Sequence, residues 1–147
     1  MKTTQLDQDL SRLLADYQVL YAKLRAYHWT VTGPLFFGLH AKFEELYDDA
    51  AEKVDALAER LAARGVRPPL TLADQLALAR LKEDGGRPTP NDMVRNVAAD
   101  LETVNVSLRA LEQAAAKASD AATQNLAQGF ADGQEKTIWM LRAFLEG

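Results

Sequence analysis

Apolar side chains recur at helical spacing through four long segments of this chain, and little other than packed helices satisfies such a pattern. Leu6, Leu10, Leu13, Leu14, Tyr17, Leu20, Tyr21 and Leu24 fall at i, i+3, i+4 and i+7, describing one amphipathic helix. Residues 30–34, with Gly33 before Pro34, break it. A second stripe runs through Leu39, Phe43, Leu46, Tyr47, Ala50, Val54, Leu57 and Leu61. Gly65 is placed to end that helix in the left-handed conformation, and Pro68 and Pro69 bar continuation.

Residues 66–89 form a long connection. Within it Thr71 can cap a short helix running to Ala79, and Gly85, Gly86 and Pro88 make a loop. Thr89 followed by Pro90 is a helix start with proline in the first turn. The third helix carries Met93, Val97, Leu101, Val104, Leu108 and Leu111, and Asp120 caps a fourth that closes with Ile138, Trp139, Leu141 and Leu145. Gly129 and Gly133 weaken that last helix by up to ~1 kcal/mol each relative to alanine. Four long helices, with the extended link between the second and third, predict an all-α, ferritin-like four-helix bundle with a long crossover carrying a short extra helix. One domain over residues 1–147 accounts for the whole chain.

Composition narrows the function. Acidic residues outnumber basic ones 21 to 17, for a net charge of -4, which argues against a dedicated polyanion binder. The absence of cysteine excludes disulfides, thiolate metal sites and thiol catalysis. The polar start has no apolar stretch of a secretory signal, and no run approaches the ~20 residues of a membrane span. A soluble cytoplasmic protein is the expectation.

His28 and His40 are the only histidines. Taken singly, His28 reads as a satisfied core histidine, His40 as a helix-surface residue, and Glu44, Asp55 and Glu59 as a solvated face. The second helix argues otherwise. At 100° per residue a second stripe of His40, Glu44, Ala51, Asp55, Ala58 and Ala62 lies roughly 110° from the apolar one. Its alanines leave room for another helix, whereas Lys42, Asp49, Lys53 and Arg60 supply an ordinary charged face on the remaining side.

His40 and Glu44 are one turn apart and can share a cation, and Asp55 and Glu59 form a second such pair. His40 and Asp55 are separated by 15 positions, or roughly 22 Å of helix, so one subunit cannot join both pairs around one ion. Antiparallel apposition of two copies brings one copy's histidine pair opposite the other's carboxylates, and a two-fold contact makes two equal sites. His28 is then free to join the histidine half. Neither histidine has a glutamate three residues before it, so the Glu-x-x-His pattern of an in-bundle di-iron site is missing. Imidazoles with carboxylates suit Fe(II), and zinc is also an acceptable guest.

The stretch His28-Trp29, Gly33, Phe36-Phe37, Leu39-His40, Phe43-Glu44, Tyr47, Asp55 and Ala58-Glu59-Arg60, with Glu135-Lys136 and Trp139 to Ala143 near the end, resembles the Dps miniferritins over almost the whole chain. The resemblance implies a hollow homo-oligomer of twelve subunits that binds iron (Fe2+/Fe3+). It also implies Fe(II) oxidation, mainly with hydrogen peroxide, and a stored ferric mineral. By the same resemblance His28, His40 and Glu44 come from one subunit and Asp55 and Glu59 from its partner. Trp29 stands beside the site, catalytic or simply packed in the interface. Glu44 occupies a position often held by aspartate. Asp120 matches an acidic pore position, while Asn125 and Gly129 stand where further aspartates are common, so guidance of Fe(II) is expected to be weaker or to use another opening. Glu45, Asp48 and Glu52 form a carboxylate ridge, either mineral-nucleating or merely solvated.

Two other readings compete: a DNA-compacting stress protein, and a metal-free helical scaffold. The family's DNA binders use lysine-rich tails, and here only Lys2 precedes the first helix while the chain ends at Gly147. DNA binding is expected to be weak or absent.

Overall fold

Thr4 opens α1 (Gln5–Thr30) with a reciprocal cap. Its hydroxyl accepts from the Asp7 amide at 3.2 Å while the Asp7 carboxylate accepts from the Thr4 amide at 3.0 Å, satisfying donors the first turn would otherwise leave bare. The computed structural model describes residues 3–146. Met1, Lys2 and Gly147 lie outside that range, and with them the part of the DNA expectation that rests on Lys2 and Gly147. Among the described residues the order is α1, α2 (Phe36–Ala63), α3 (Leu72–Leu78), α4 (Pro90–Lys117) and α5 (Ala121–Glu146). None of these helices is long and apolar enough to cross a membrane.

The start and stop signals act where the residues place them. Thr71, Thr89 and Asp120 each accept from the backbone amide three residues on, at 3.1 Å. Gly65 takes φ +79° just after α2 and Gly33 takes φ +98° in the turn between α1 and α2, conformations that cost a glycine nothing. The N-terminus of α2 is different, since Leu35 occupies the cap and offers no side-chain acceptor.

Helices α1 and α2 pack as one pair and α4 and α5 as another, with α1 also meeting α4 and the short α3. Contact on several sides changes the picture of α1 as a simple amphipathic helix. Beyond the leucine stripe, Ala15, Asp16, Val19 and Lys23 are buried as well. Lys23 is neutralised by Asp100 at 2.8 Å, as a charge taken out of water requires. A buried polar thread also crosses the bundle. The Tyr17 hydroxyl donates to Gln134 Oε1, and Gln134 Nε2 donates to Asn105.

The expectation of a plain solvated face holds for Lys42, which among the described residues pairs only with Glu45 on the same helix at 3.0 Å, and is corrected for Lys53 and Arg60. The Lys53 side chain is only 12% exposed and its ammonium lies over the rings of Tyr17 and Phe130, 5.8 and 5.4 Å from their centroids. Its stem covers apolar surface while the charge reaches Asp49. Arg60 donates to Thr123 at 2.9 Å and Asp120 at 3.1 Å. Their partners lie on α1 and α5, beyond the reach of a periodicity argument on α2.

Arg60 belongs to a staple of helix ends. Arg64, just past α2, reaches Asp7 at the start of α1 and Asp120 at the start of α5, both at 2.7 Å. Partial burial pushes both carboxyls up, but hydrogen bonds and guanidinium charge outweigh it. Asp7 is held below the usual aspartate range by Arg64 and Thr4. Asp120 is brought from 3.8 down to about 2 by Thr123 and Arg60. Groups whose folded pKa is depressed add stability above their unfolded value and lose it as pH falls through the folded one. Urea midpoints measured between pH 5 and pH 2 are therefore expected to fall across the window from about 4 to 2, and Asp120→Asn to flatten that fall.

Candidate metal centre

The five-residue turn between α1 and α2 sets His28, near the end of α1, against His40, in the second turn of α2. Their rings stack with centroids 3.7 Å apart and planes 12° from parallel. Each Nδ1 lies 2.7 Å from the other residue's backbone carbonyl oxygen. A carbonyl only accepts, so each Nδ1 must carry its proton, and in the neutral ring that leaves Nε2 with the lone pair. The two histidines thus fix one another in the tautomer a metal ligand needs, through the kind of backbone contact that orients ligating imidazoles. Phe36 stacks on His40 at 4.8 Å and Tyr47 meets His28 edge-on at 5.3 Å, so both rings are packed in place.

Glu44, one turn after His40, brings its Oε1 to 3.7 Å from His28 Nε2. Its side chain is 55% exposed, open on the side away from its own bundle. The Tyr47 hydroxyl donates to the same Oε1 at 3.4 Å. Burial, the Glu44 charge and Asp48 push the Tyr47 phenol above its ordinary value.

The remaining expected ligands do not join this group. Asp55 and Glu59 are exposed further along α2, and among the described residues no set of three or more His, Asp or Glu side chains within the chain is arranged to hold a metal. His28, His40 and Glu44 thus gather at one end of the bundle, and Asp55 and Glu59 stand apart from them further along α2. Trp29 is 66% exposed with the Arg25 guanidinium 5.1 Å from its ring. Phe37, near the start of α2, is 84% exposed. These are large exposed apolar surfaces close to the histidine pair, of the kind that often marks a contact with another chain.

Two features were not anticipated. Tyr47 reads from the sequence as one more member of the apolar stripe, although its spacing of i+3 from Glu44 also puts it on the ligand face. Asp120, matched by resemblance to an acidic pore position, is held internally by Arg60 and Arg64 and its side chain is only 10% exposed. Its charge is spent on the fold. Glu45, Asp48 and Glu52 are exposed and line a groove of about 400 Å3 with Asp49 and Lys53. A more apolar cleft of about 620 Å3 lies between the start of α2 and the end of α5, lined by Leu35, Leu39, Met140 and Phe144 among others. It contains none of the expected ligands.

The family model described as a ferritin-like domain matches residues 8–147, and the helices and their long crossover agree with it: this is a ferritin-like protein. A curated relative named DNA protection during starvation protein, from Brevibacillus brevis, is 43% identical over 137 residues, covering 93% of this chain and 92% of the relative. The crystal structure of a Dps protein from Bacillus brevis superposes with a TM-score of 0.94 at 42% identity, covering 99% of both chains. That of Dps from Vibrio cholerae O1, titled a member of a broad superfamily of ferritin-like diiron-carboxylate proteins, gives 0.93 at 35% identity, covering 96% of this chain and 89% of that one. Within the ferritin-like class, this chain belongs to the Dps family.

Proposed function

We propose that the chain is an iron-detoxifying ferroxidase of the cytoplasm, whose catalytic site forms between two copies related by a two-fold axis within a shell of twelve. The observation that carries this reading is the reciprocal histidine pair, two imidazoles locked with Nε2 free beside Glu44 and with no further ligands in reach among the described residues of the same chain. His28, His40 and Glu44 would hold Fe(II) from one side. Asp55 and Glu59 of the partner subunit would close the site from the other. Iron is substrate here and leaves as mineral, for which Glu45, Asp48 and Glu52 offer a carboxylate surface.

The donor set favours the chemistry. Carboxylates stabilise Fe(III) over Fe(II), since the higher charge gains more from anionic oxygens. Hydrogen peroxide accepts one electron from each of two ferrous ions and, with two protons, becomes water. Paired oxidation leaves no one-electron step to release hydroxyl radical. Trp29, beside the half-site, would be covered by the partner and help exclude water from it.

The relatives' name concerns DNA protection, and removal of iron and peroxide protects DNA without contact. With a net charge of -4, direct DNA binding is weak or absent at physiological salt. The function is tested by mixing the protein with Fe(II) and peroxide anaerobically and following ferric absorbance. Oxidation well above the buffer rate is expected, with His40→Ala slower by at least about 100-fold, since loss of a ligand costs a metal site no less than loss of the groups that orient its ligands. Equal rates for protein, variant and buffer would leave the helical scaffold as the better description.

A further inference from the structure

We infer that Tyr47 is a positioning residue of the shared site, its hydroxyl holding the Glu44 carboxylate against His28 while its ring edge supports the imidazole. The inference rests on the ferroxidase reading and deepens it.

The geometry is specific. Glu44 Oε1 is the atom that lies 3.7 Å from His28 Nε2 and also the atom that accepts from Tyr47, at 3.4 Å. A half-exposed glutamate has three side-chain torsions to fix, and fixing them at the moment of metal binding weakens the site. A phenol keeps its proton at neutral pH and donates to a carboxylate. That bond selects, before metal arrives, the rotamer that points one oxygen at the histidine pair. The second oxygen remains free for the cation.

Tyr47 is itself held. Its ring meets Tyr21 edge-on at 5.7 Å. The Tyr21 hydroxyl accepts from Arg25 at 3.1 Å, and the same guanidinium lies 4.8 Å from the Tyr21 ring centroid. The support therefore runs from Arg25 through Tyr21 to Tyr47 and then to both ligands, all within one chain. It preorganises the histidine half without help from the partner subunit.

Tyr47→Phe separates the two contributions, because phenylalanine keeps the ring contacts and removes only the hydroxyl. The assembled protein is assayed for Fe(II) oxidation and titrated with Co(II), which reports ligand geometry by its visible absorption without peroxide turnover. Expected for Tyr47→Phe are a KM for Fe(II) and a Co(II) Kd each raised about fivefold, as loss of a long hydrogen bond to a charged group implies. The turnover number, assembly mass and melting temperature are expected to match the parent.

Co(II) and Fe(II) parameters equal to the parent's, with His40→Ala still impaired, would overturn the positioning role and leave the ferroxidase reading intact. A lowered melting temperature with a proportionate loss of turnover would overturn it too, marking Tyr47 as packing alone. Failure of the parent protein to bind Co(II) or oxidise Fe(II) would remove the shared site and this inference with it.

Discussion

Assemblies refolded from an equal mixture of His40→Ala and Asp55→Asn subunits are expected to recover about a quarter of the parent ferroxidase activity, although each variant alone is slower by at least about 100-fold. The figure follows from symmetry. Random pairing across a two-fold axis gives roughly half mixed pairs, and each pair contains two sites. In a mixed pair one site combines the altered histidine half with the altered carboxylate half. The other combines the intact His28, His40 and Glu44 of one subunit with the intact Asp55 and Glu59 of its neighbour. One site in about four is therefore of parent composition. Stopped-flow oxidation of Fe(II) by peroxide, with the subunit ratio checked by native mass, measures it. Recovery near zero would mean that all five ligands act within one chain. Recovery well above a quarter would mean that one of the two residues is not a ligand. This distinguishes a shared site from a merely interfacial one more sharply than any single substitution, because the gain cannot come from repair of folding.

The same division between the two ends of α2 explains why so much of this protein is legible in its residues. His40, Glu44, Asp55 and Glu59 lie on one helix, so their relative placement follows from helical pitch alone. The helix limits are local too. Thr71, Thr89, Asp120 and Gly65 act through residues three or four positions away. What the residues do not disclose is non-local. Lys53 looks like a solvated lysine until Tyr17 and Phe130 are brought beneath it. Asp120 reads as a helix cap and a pore acid, and its pairing with Arg60 of α2 and Arg64 just past that helix appears only in the fold. The histidine lock is an intermediate case. The 12-residue separation of His28 and His40 announces that a short turn can bring them together, yet the mutual Nδ1-to-carbonyl bonds depend on how α1 and α2 pack. Tyr47 escapes notice for another reason: it satisfies the apolar pattern and the ligand face at once, and a one-pattern reading stops at the first.

Asp16 is the extreme case of a non-local role, and Asp16→Ala is expected to destabilise the folded chain by about 3 kcal/mol. Nothing in its neighbourhood on α1 marks it, for it interrupts a run of buried leucines where a charge looks misplaced. It is fully buried. Its Oδ1 accepts from the backbone amides of Arg80 at 2.6 Å and Leu81 at 3.1 Å, and the Arg80 guanidinium stands 3.3 Å from Oδ2. These bonds pin the crossover after α3 onto α1 and seat Leu81, only 5% exposed, in the core. Gln18 bonding Gln75 at 2.9 Å and Tyr27 bonding Asp84 at 2.6 Å fasten the same link on either side. Alanine would strand the two amides away from water, each at a cost of about 1–3 kcal/mol. Asparagine keeps one acceptor oxygen for the two amides, but it loses the charge and turns an NH2 donor toward the Arg80 guanidinium. The Arg80 guanidinium is 40% exposed and can turn to water, so the loss of this pairing is expected to cost less than the stranding of the two amides. Urea unfolding should rank parent, Asp16→Asn and Asp16→Ala in that order, with the larger step at alanine. Hydrogen exchange on the native protein should show protection of the Arg80 and Leu81 amides collapsing in Asp16→Ala and largely surviving in Asp16→Asn. If both variants unfold with the parent, the crossover is held by its glutamine and tyrosine fastenings alone, and the buried carboxylate contributes nothing to the fold.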